Sequence, residues 1–294
     1  MTCRSGRTSP GQVNPGKGEF LKNSLYHHPM SQRVYYGARS NARSTPTGWY
    51  TYLPWGLAVL TITSQVTWIL VNGQLRLFLT IVTVVTFFLA DVTHALITRG
   101  LAWTAGFICI TVIFGWAIEA LGTVTAFPFG NYTYTTALGP ALLNVPLIVP
   151  LAWSMMAYPC LLAAQQMVQT GLATAVVGGW LFAAWDLFLD PQMVSQNAWV
   201  WHDTTWFLPG IEEIPLQNFL GWLLAAFVLM WVLNRLPRVY AKDGVPMALL
   251  SWVYVSNVLA AAVFFQRPLG AMWGAVCMGL VIIPWWWYSW AHRQ

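Results

Sequence analysis

Long apolar stretches dominate this chain from residue 53 onwards. Only 8% of its residues are charged, and its mean hydropathy is +0.56, whereas a soluble domain carries about 25% charged residues. A helix needs about 20 apolar residues to cross a bilayer. Eight stretches are long enough: 53–72, 75–97, 101–121, 142–163, 173–190, 215–236, 244–265 and 268–290. We therefore predict an all-α, polytopic membrane helical bundle with about eight transmembrane helices, and seven as the alternative number.

Basic residues are spread unevenly over the segments that join these stretches. Cytoplasmic segments of membrane proteins carry an excess of Lys and Arg. With eight spans and a cytoplasmic N-terminus, only Arg76 and Arg267 fall on the outer side. The pattern predicts an integral protein of the cell membrane with both termini cytoplasmic. The net charge of +5 then reflects topology, and membrane lipids rather than nucleic acid are the expected surroundings.

The first 48 residues differ from the rest of the chain. They are rich in Ser, Gly, Pro, Asn and Arg and show no periodic apolar pattern, a composition typical of disorder. We predict a disordered basic tail at 1–48, followed by one transmembrane domain at 49–294. The tail is either an unselected extension or a weak ligand for anionic lipid.

Four of the nine acidic residues lie inside the apolar stretches: Asp91, Glu119, Asp186 and Asp190. Ionisable groups in a membrane are costly, face the bundle interior, and mark functional sites by default. Asp186 and Asp190 are four residues apart and share a helix face. In a low dielectric, two neighbouring carboxylates resist double ionisation, so one tends to keep its proton. A neutral acid beside an ionised one is the arrangement that hydration of an alkene requires.

Glu119 lies near the end of the third stretch, and Asp186 and Asp190 lie near the end of the fifth. Because odd-numbered spans run in the same direction, we predict that all three approach the same end of the bundle. Two uncommon segments, 123–146 and 191–215, join the helices there, and both are rich in aromatic residues. Asp186, Asp190 and Glu119 are therefore the predicted catalytic residues. An alternative for Asp190, which precedes Pro191, is that it only ends its helix near the interface. The predicted substrate-binding residues are Phe129, Tyr132, Tyr134, Trp185, Asn218 and Trp222.

Asp91 and His94 form a second polar group near the other end of the second span. Their spacing lets the side chains meet, and they lie about 15 Å or more from the first cluster at 1.5 Å rise per residue. We interpret them as a structural pair that also involves Arg99, with catalysis as the alternative.

Familiar cofactor and nucleophile motifs are missing from the sequence. It contains no GxGxxG, no Walker loop, no HExxH and no GxSxG. The cysteines show no metal-ligand spacing, and the DxxxD of 186–190 lacks the charged surroundings of a magnesium diphosphate site. We therefore predict acid–base chemistry without a cofactor or a metal.

The middle of the chain, about 119–222, resembles the CruF-type carotenoid hydratase family. The motifs that carry the resemblance are Glu119, PFGNYTY at 128–134, VP at 145–146, Pro150 with AWSMMAYP at 152–159, Asp186, DPQMV at 190–194, Trp199, Trp201, and Pro215 with NFLGW at 218–222. Ala126 and Asn144 stand where glycine is expected in this pattern.

The resemblance implies an enzyme that adds water to the terminal C1,2 double bond of an acyclic carotenoid and forms a tertiary alcohol. The expected substrate is a C40 or C50 carotenoid in the bilayer, and other membrane enzymes of carotenoid synthesis are conceivable partners. A carotenoid end-group cyclase or isomerase would begin with the same protonation. A proton-coupled transporter or lipid carrier would use the carboxylates as a relay, and a structural assembly factor is a further alternative.

Overall fold

A computed structural model describes residues 48–291. The predicted disordered tail therefore lies outside the described residues, except for Gly48. Between residues 48 and 291 the chain forms eight α-helices. They are α1 Leu53–Leu70, α2 Gly73–Arg99, α3 Leu101–Thr125, α4 Val149–Met167, α5 Gly171–Ser195, α6 Leu216–Leu233, α7 Gly244–Leu259 and α8 Pro268–Ala291. A 3-10 turn, Trp49–Tyr52, precedes α1, and a π-helical turn, Ala260–Phe264, continues α7.

Seven of these helices are long and apolar enough to cross a membrane. The predicted polytopic helical bundle is thus confirmed. The large side chains that α1, α3 and α8 leave exposed are apolar, among them Val59, Ile113 and Leu280. Such a surface suits a hydrocarbon environment, where the backbone must satisfy its own hydrogen bonds.

Helix α4 is the exception among the eight. The stretch 142–163 predicted a span, but the helix begins only at Val149, with Pro150 in its first turn, a position that proline favours. It packs against α2, α3, α5, α6, α7 and α8, and residues 153–164 are all buried. Trp153, Ser154 and Tyr158 lower its hydropathy, and each has a hydrogen-bond partner inside the protein. This helix therefore lies at the centre of the bundle and contributes three buried side chains that form hydrogen bonds.

Helix α5 runs without interruption through Pro191 to Ser195. The alternative in which Asp190 only ends its helix near the interface is therefore wrong. Its side chain lies in the last third of a continuous helix and is 3% exposed.

Two short sheets form a roof over one end of the bundle. Strand β1 (Tyr132–Tyr134) pairs antiparallel with β4 (Trp199–Trp201), so that Tyr132 lies opposite Trp201 and Tyr134 opposite Trp199. Strands β2 (Ala141–Leu142) and β3 (Val145–Pro146) form a hairpin. The roof joins the two aromatic segments that the sequence analysis singled out.

Local backbone geometry explains three positions in or beneath this roof. Asn144 has a φ of 64° in the hairpin turn, and Ala126 has a φ of 59° after α3; both are in the left-handed region that glycine prefers. These are the two positions at which the family pattern led us to expect glycine. At Gly221 in α6, a Cβ atom would lie 2.7 Å from the carbonyl oxygen of Pro128, so only glycine lets the segment after α3 pack this closely.

Candidate active site

A cavity of about 400 Å³ lies beneath the roof. Its walls come from α1, α2, α4, α5, α6 and α7, from the end of α3 and from both strands of the β1–β4 pair. All nine residues predicted as catalytic or substrate-binding line it: Glu119, Asp186, Asp190, Phe129, Tyr132, Tyr134, Trp185, Asn218 and Trp222. The structure thus brings together, from four different parts of the chain, the residues that the sequence selected.

Glu119 is held by donors from the roof and from the central helix. Its Oε2 accepts hydrogen bonds from the hydroxyls of Tyr132, at 2.5 Å, and Tyr134, at 2.8 Å. Its Oε1 accepts one from the indole nitrogen of Trp153 at 3.0 Å. Three donors satisfy both oxygens, so Glu119 is fixed in place as an acceptor although it is only 4% exposed.

The two tyrosines that bind Glu119 lie in β1, outside the helices. Burial raises the pKa of both hydroxyls above the ordinary value of tyrosine, and the neighbouring Glu119 charge raises it further. Both hydroxyls therefore remain protonated at neutral pH and act as hydrogen-bond donors to Glu119.

Asp186 and Asp190 are joined by the amide of Asn218. The Nδ2 group of Asn218 donates to Oδ2 of Asp186 at 2.7 Å and also to Oδ2 of Asp190. Oδ1 of Asp190 accepts a further hydrogen bond from the indole nitrogen of Trp199 at 2.6 Å. The i, i+4 spacing on α5 and a single residue at the start of α6 thus build a bridged pair of carboxyl groups.

Three buried polar atoms in the cavity wall have no hydrogen-bond partner among the described residues. They are Oδ1 of Asp186, the indole nitrogen of Trp201 and the hydroxyl of Thr83. The indole of Trp201 forms no hydrogen bond of regular geometry, but it lies close enough to Asp190 to interact with its carboxyl group. Buried polar atoms are rarely left unpaired, so unpaired atoms in a cavity wall are candidates to bind a ligand, water or a reacting group. Among the three acids, Asp186 is the one with an oxygen that has no hydrogen-bond partner among the described residues.

Aromatic rings surround the carboxyl groups. Trp222 stacks on Trp153 with centroids 4.4 Å apart and an interplanar angle of 10°. The ring centroids of Phe129, Phe182 and Trp185 lie 5.9, 5.5 and 6.4 Å from that of Trp222. The faces of such rings attract cations, so this wall can stabilise positive charge that develops beside Asp186.

Asp91 and His94 lie elsewhere, and no hydrogen bond joins their side chains among the described residues. His94 bonds through Nδ1 to the Tyr158 hydroxyl at 2.9 Å and through Nε2 to the Lys242 carbonyl at 3.0 Å. Both oxygens of Asp91 are buried and unpaired within residues 48–291. Neither residue lines the cavity.

Sequence reasoning missed three tryptophans of the site. Trp153, Trp199 and Trp201 stand in the family motifs, but the sequence analysis did not select them as site residues. The spacing of two in YTY and WVW would have been a usable clue, since alternate residues of a strand point to the same face.

Within residues 48–291 no three His, Cys, Asp or Glu side chains are placed to hold a metal ion together.

Fold and site define the class: a membrane helical bundle with an aromatic cavity that holds buried acids. The carotenoid biosynthesis protein family matches residues 74–284, and the chain belongs to this family. Over 125 residues it is 30% identical to bisanhydrobacterioruberin hydratase of Haloarcula japonica, a match that covers 40% of each protein. The chain thus spans well under half the length of that relative. No solved structure matches the chain.

Proposed function

We propose that this protein is a carotenoid hydratase that adds water to the terminal C1,2 double bond of an acyclic end group without a cofactor. The observation that carries the proposal is the convergence of three buried acids on one aromatic cavity, where Asp186 keeps an oxygen without a partner. The name of the Haloarcula japonica relative, a hydratase, supports the same reaction.

In the first step, Asp186 gives its proton to the less substituted carbon of the double bond. The C=C π electrons form the new C–H bond, and a tertiary cation remains on the neighbouring carbon. Protonation of an unactivated alkene is the costly step, so the acid must be neutral and shielded from bulk water. The faces of Trp222 and Phe129 lower the energy of the cation.

In the second step, a water molecule attacks the tertiary cation and the C–O bond forms. The surplus proton passes to a carboxylate, which restores the charge balance of the site. Asp190 or Glu119 positions the water, and the indole N–H of Trp201, which lies close to Asp190, is a donor to the same molecule. The product is a tertiary alcohol.

We also propose the setting in which this reaction occurs. The protein lies in the cell membrane with both termini cytoplasmic, as the distribution of basic residues predicts, so that the roof faces the outer side. Residues 49–294 form the catalytic domain. Its substrate is a C40 or C50 carotenoid.

Expression in a lycopene-producing host, followed by mass analysis of the pigments, tests the proposal. We expect a product that is heavier than lycopene by one water for each end that reacts. A new pigment of unchanged mass would instead indicate cyclisation or isomerisation. Unaltered pigment in cells that contain the inserted protein, together with proton-coupled flux in vesicles, would favour a transporter.

A further inference from the structure

One wall of the cavity is both apolar and exposed. Five of its large lining side chains belong to the final turns of α1, to the second half of α7 and to the π-helical turn. Their exposed fractions are 46% for Val66, 74% for Leu70, 50% for Val255, 53% for Leu259 and 52% for Phe264. We call these five residues the lateral opening. A side chain that lines a cavity and is also exposed marks the place where the cavity reaches the surface.

The roof side of the cavity is closed by comparison. Tyr132, Leu138 and Trp199 line it there and are 4%, 5% and 9% exposed. Two hydrogen bonds tie α7 to its neighbours along the opening: Trp252 donates to Gln65 at 2.5 Å, and Gln192 donates to Asn257 at 2.6 Å. The cavity therefore opens sideways between α1 and α7, two helices that are long and apolar enough to span a membrane.

We propose that the lateral opening binds the polyene chain of the substrate, so that the end group reaches Asp186 while the rest of the molecule leaves between α1 and α7 into the hydrocarbon of the bilayer. This inference rests on the proposed function, because that function supplies the occupant.

The size of the cavity supports this binding mode. A volume of about 400 Å³ is near the lower limit of pockets that enclose drug-sized ligands. A C40 or C50 carotenoid is far longer than such a ligand, so only its end can be enclosed. The remainder needs a continuous apolar path, and the lateral opening is continuous with the cavity.

The chemistry of the opening also fits a polyene. None of its five side chains carries a charge or a hydrogen-bonding group, and the rings of Trp68 and Phe265 close its edge in an edge-to-face contact at 5.8 Å. Among the polar groups nearby, Gln65 and Trp252 bind each other, and Arg76 donates to the carbonyl of Val71 and lies over the ring of Trp68. A hydrocarbon chain can thus pass without leaving a polar group unpaired.

The first test narrows the opening and compares two substrates. Leu259→Trp and Val66→Trp add bulk at the opening, whereas Ile113→Trp adds it at an exposed position of α3 that is remote from the cavity wall. Each variant is assayed with lycopene in vesicles and with geraniol, a short acyclic terpene that carries the same kind of end. We expect the ratio of lycopene to geraniol turnover to fall about tenfold, equivalent to 1.4 kcal/mol, in both opening variants and to stay unchanged in Ile113→Trp. An unchanged ratio, or an equal fall in the control, would overturn the inference.

The second test is independent of turnover and so separates this inference from the proposed function. A photoactivatable diazirine amino acid is placed at Leu259 or, as a control, at Ile113, and the protein is irradiated in vesicles that contain lycopene. Preferential adducts at position 259 support the lateral opening even if no hydration is found. Equal adducts at both positions contradict it even if hydration occurs.

Discussion

The two ends of the bundle bury carboxylates in opposite ways. Beneath the roof, Glu119, Asp186 and Asp190 take hydrogen bonds only from neutral donors: tyrosine hydroxyls, indoles and one amide. At the other end, Asp243 forms an ion pair with Arg99 at 2.7 Å, and Asp91 is buried without a hydrogen-bond partner among the described residues. Arg99 also donates to Tyr158 at 2.8 Å, which in turn binds His94.

This difference separates a reactive arrangement from a structural one. A buried ion pair fixes both charges, because removing either partner leaves the other uncompensated. Neutral donors hold a carboxyl group in place without fixing its charge, and they leave it able to give or accept a proton. The comparison therefore supports the proposed chemistry at the roof end, whereas Arg99, Tyr158 and Asp243 connect α2, α4 and the start of α7 at the opposite end.

Replacement of a single acid at each end tests this comparison with the largest expected effect. We expect Asp186→Asn to lower hydration about 1000-fold, because general acid catalysis contributes about 10²–10⁴-fold. Asp91→Asn, the matched loss of a buried acid that is remote from the cavity, should keep activity within about twofold. Product formation per inserted protein measures both. Equal losses in the two variants, or full activity in Asp186→Asn, would contradict the division of roles.

Arginine replacements provide the second test, on stability. Arg99→Leu should lower the free energy of unfolding by about 3 kcal/mol, because Asp243 would remain buried and unpaired. Arg267→Leu is the control, since its pair with Glu213 is about one third exposed, and exposed pairs contribute about 1 kcal/mol or less. Unfolding in detergent micelles measures both. A smaller loss for Arg99→Leu than for the control would show that the opposite end is not held by its ion pair.

Replacement of one tryptophan at each end of the bundle tests the comparison with the smallest expected effect. Trp103 donates to the carbonyl of Pro237 at 2.9 Å, whereas the indole nitrogen of Trp201 forms no hydrogen bond of regular geometry among the described residues. Trp103→Phe should therefore cost about 1 kcal/mol more stability than Trp201→Phe, because it leaves an acceptor unpaired.

For Trp201→Phe we expect a change in the ratio of products and not in stability. Loss of a donor to the attacking water should raise the share of pigment with unchanged mass relative to hydrated pigment. A hydrated fraction equal to that of the unaltered protein would remove Trp201 from the positioning of water.

The sequence predicted the helices and the acids well because both have strong physical signatures. Apolar length identified seven of the spans. The cost of a charge in hydrocarbon selected Asp91, Glu119, Asp186 and Asp190, and the last three of these line one cavity. The position of α4 was predicted less well, since 142–163 is as apolar as a span, although residues 141–146 form the hairpin and the helix then extends to Met167.

Long-range partners were beyond prediction from the sequence. The i, i+3 spacing of Asp91 and His94 permits a contact, but His94 instead binds groups that are 64 and 148 residues away along the chain. Likewise, the alternation in YTY and WVW indicates strands, but it does not show that the two strands pair with each other beside the cavity.

The pairing of β1 with β4 determines the hydrogen bonds that two of the acids accept. Tyr132 and Tyr134 of β1 donate to Glu119, and Trp199 of β4 donates to Asp190. Because adjacent side chains of a strand point to opposite faces, a slip of one residue would turn the inner side chains of the strand that moves to the outer face. A slip of β1 would remove both tyrosine donors from Glu119, and a slip of β4 would remove the Trp199 donor from Asp190. The alignment of this two-stranded ribbon therefore controls hydrogen bonds to acids on two different helices.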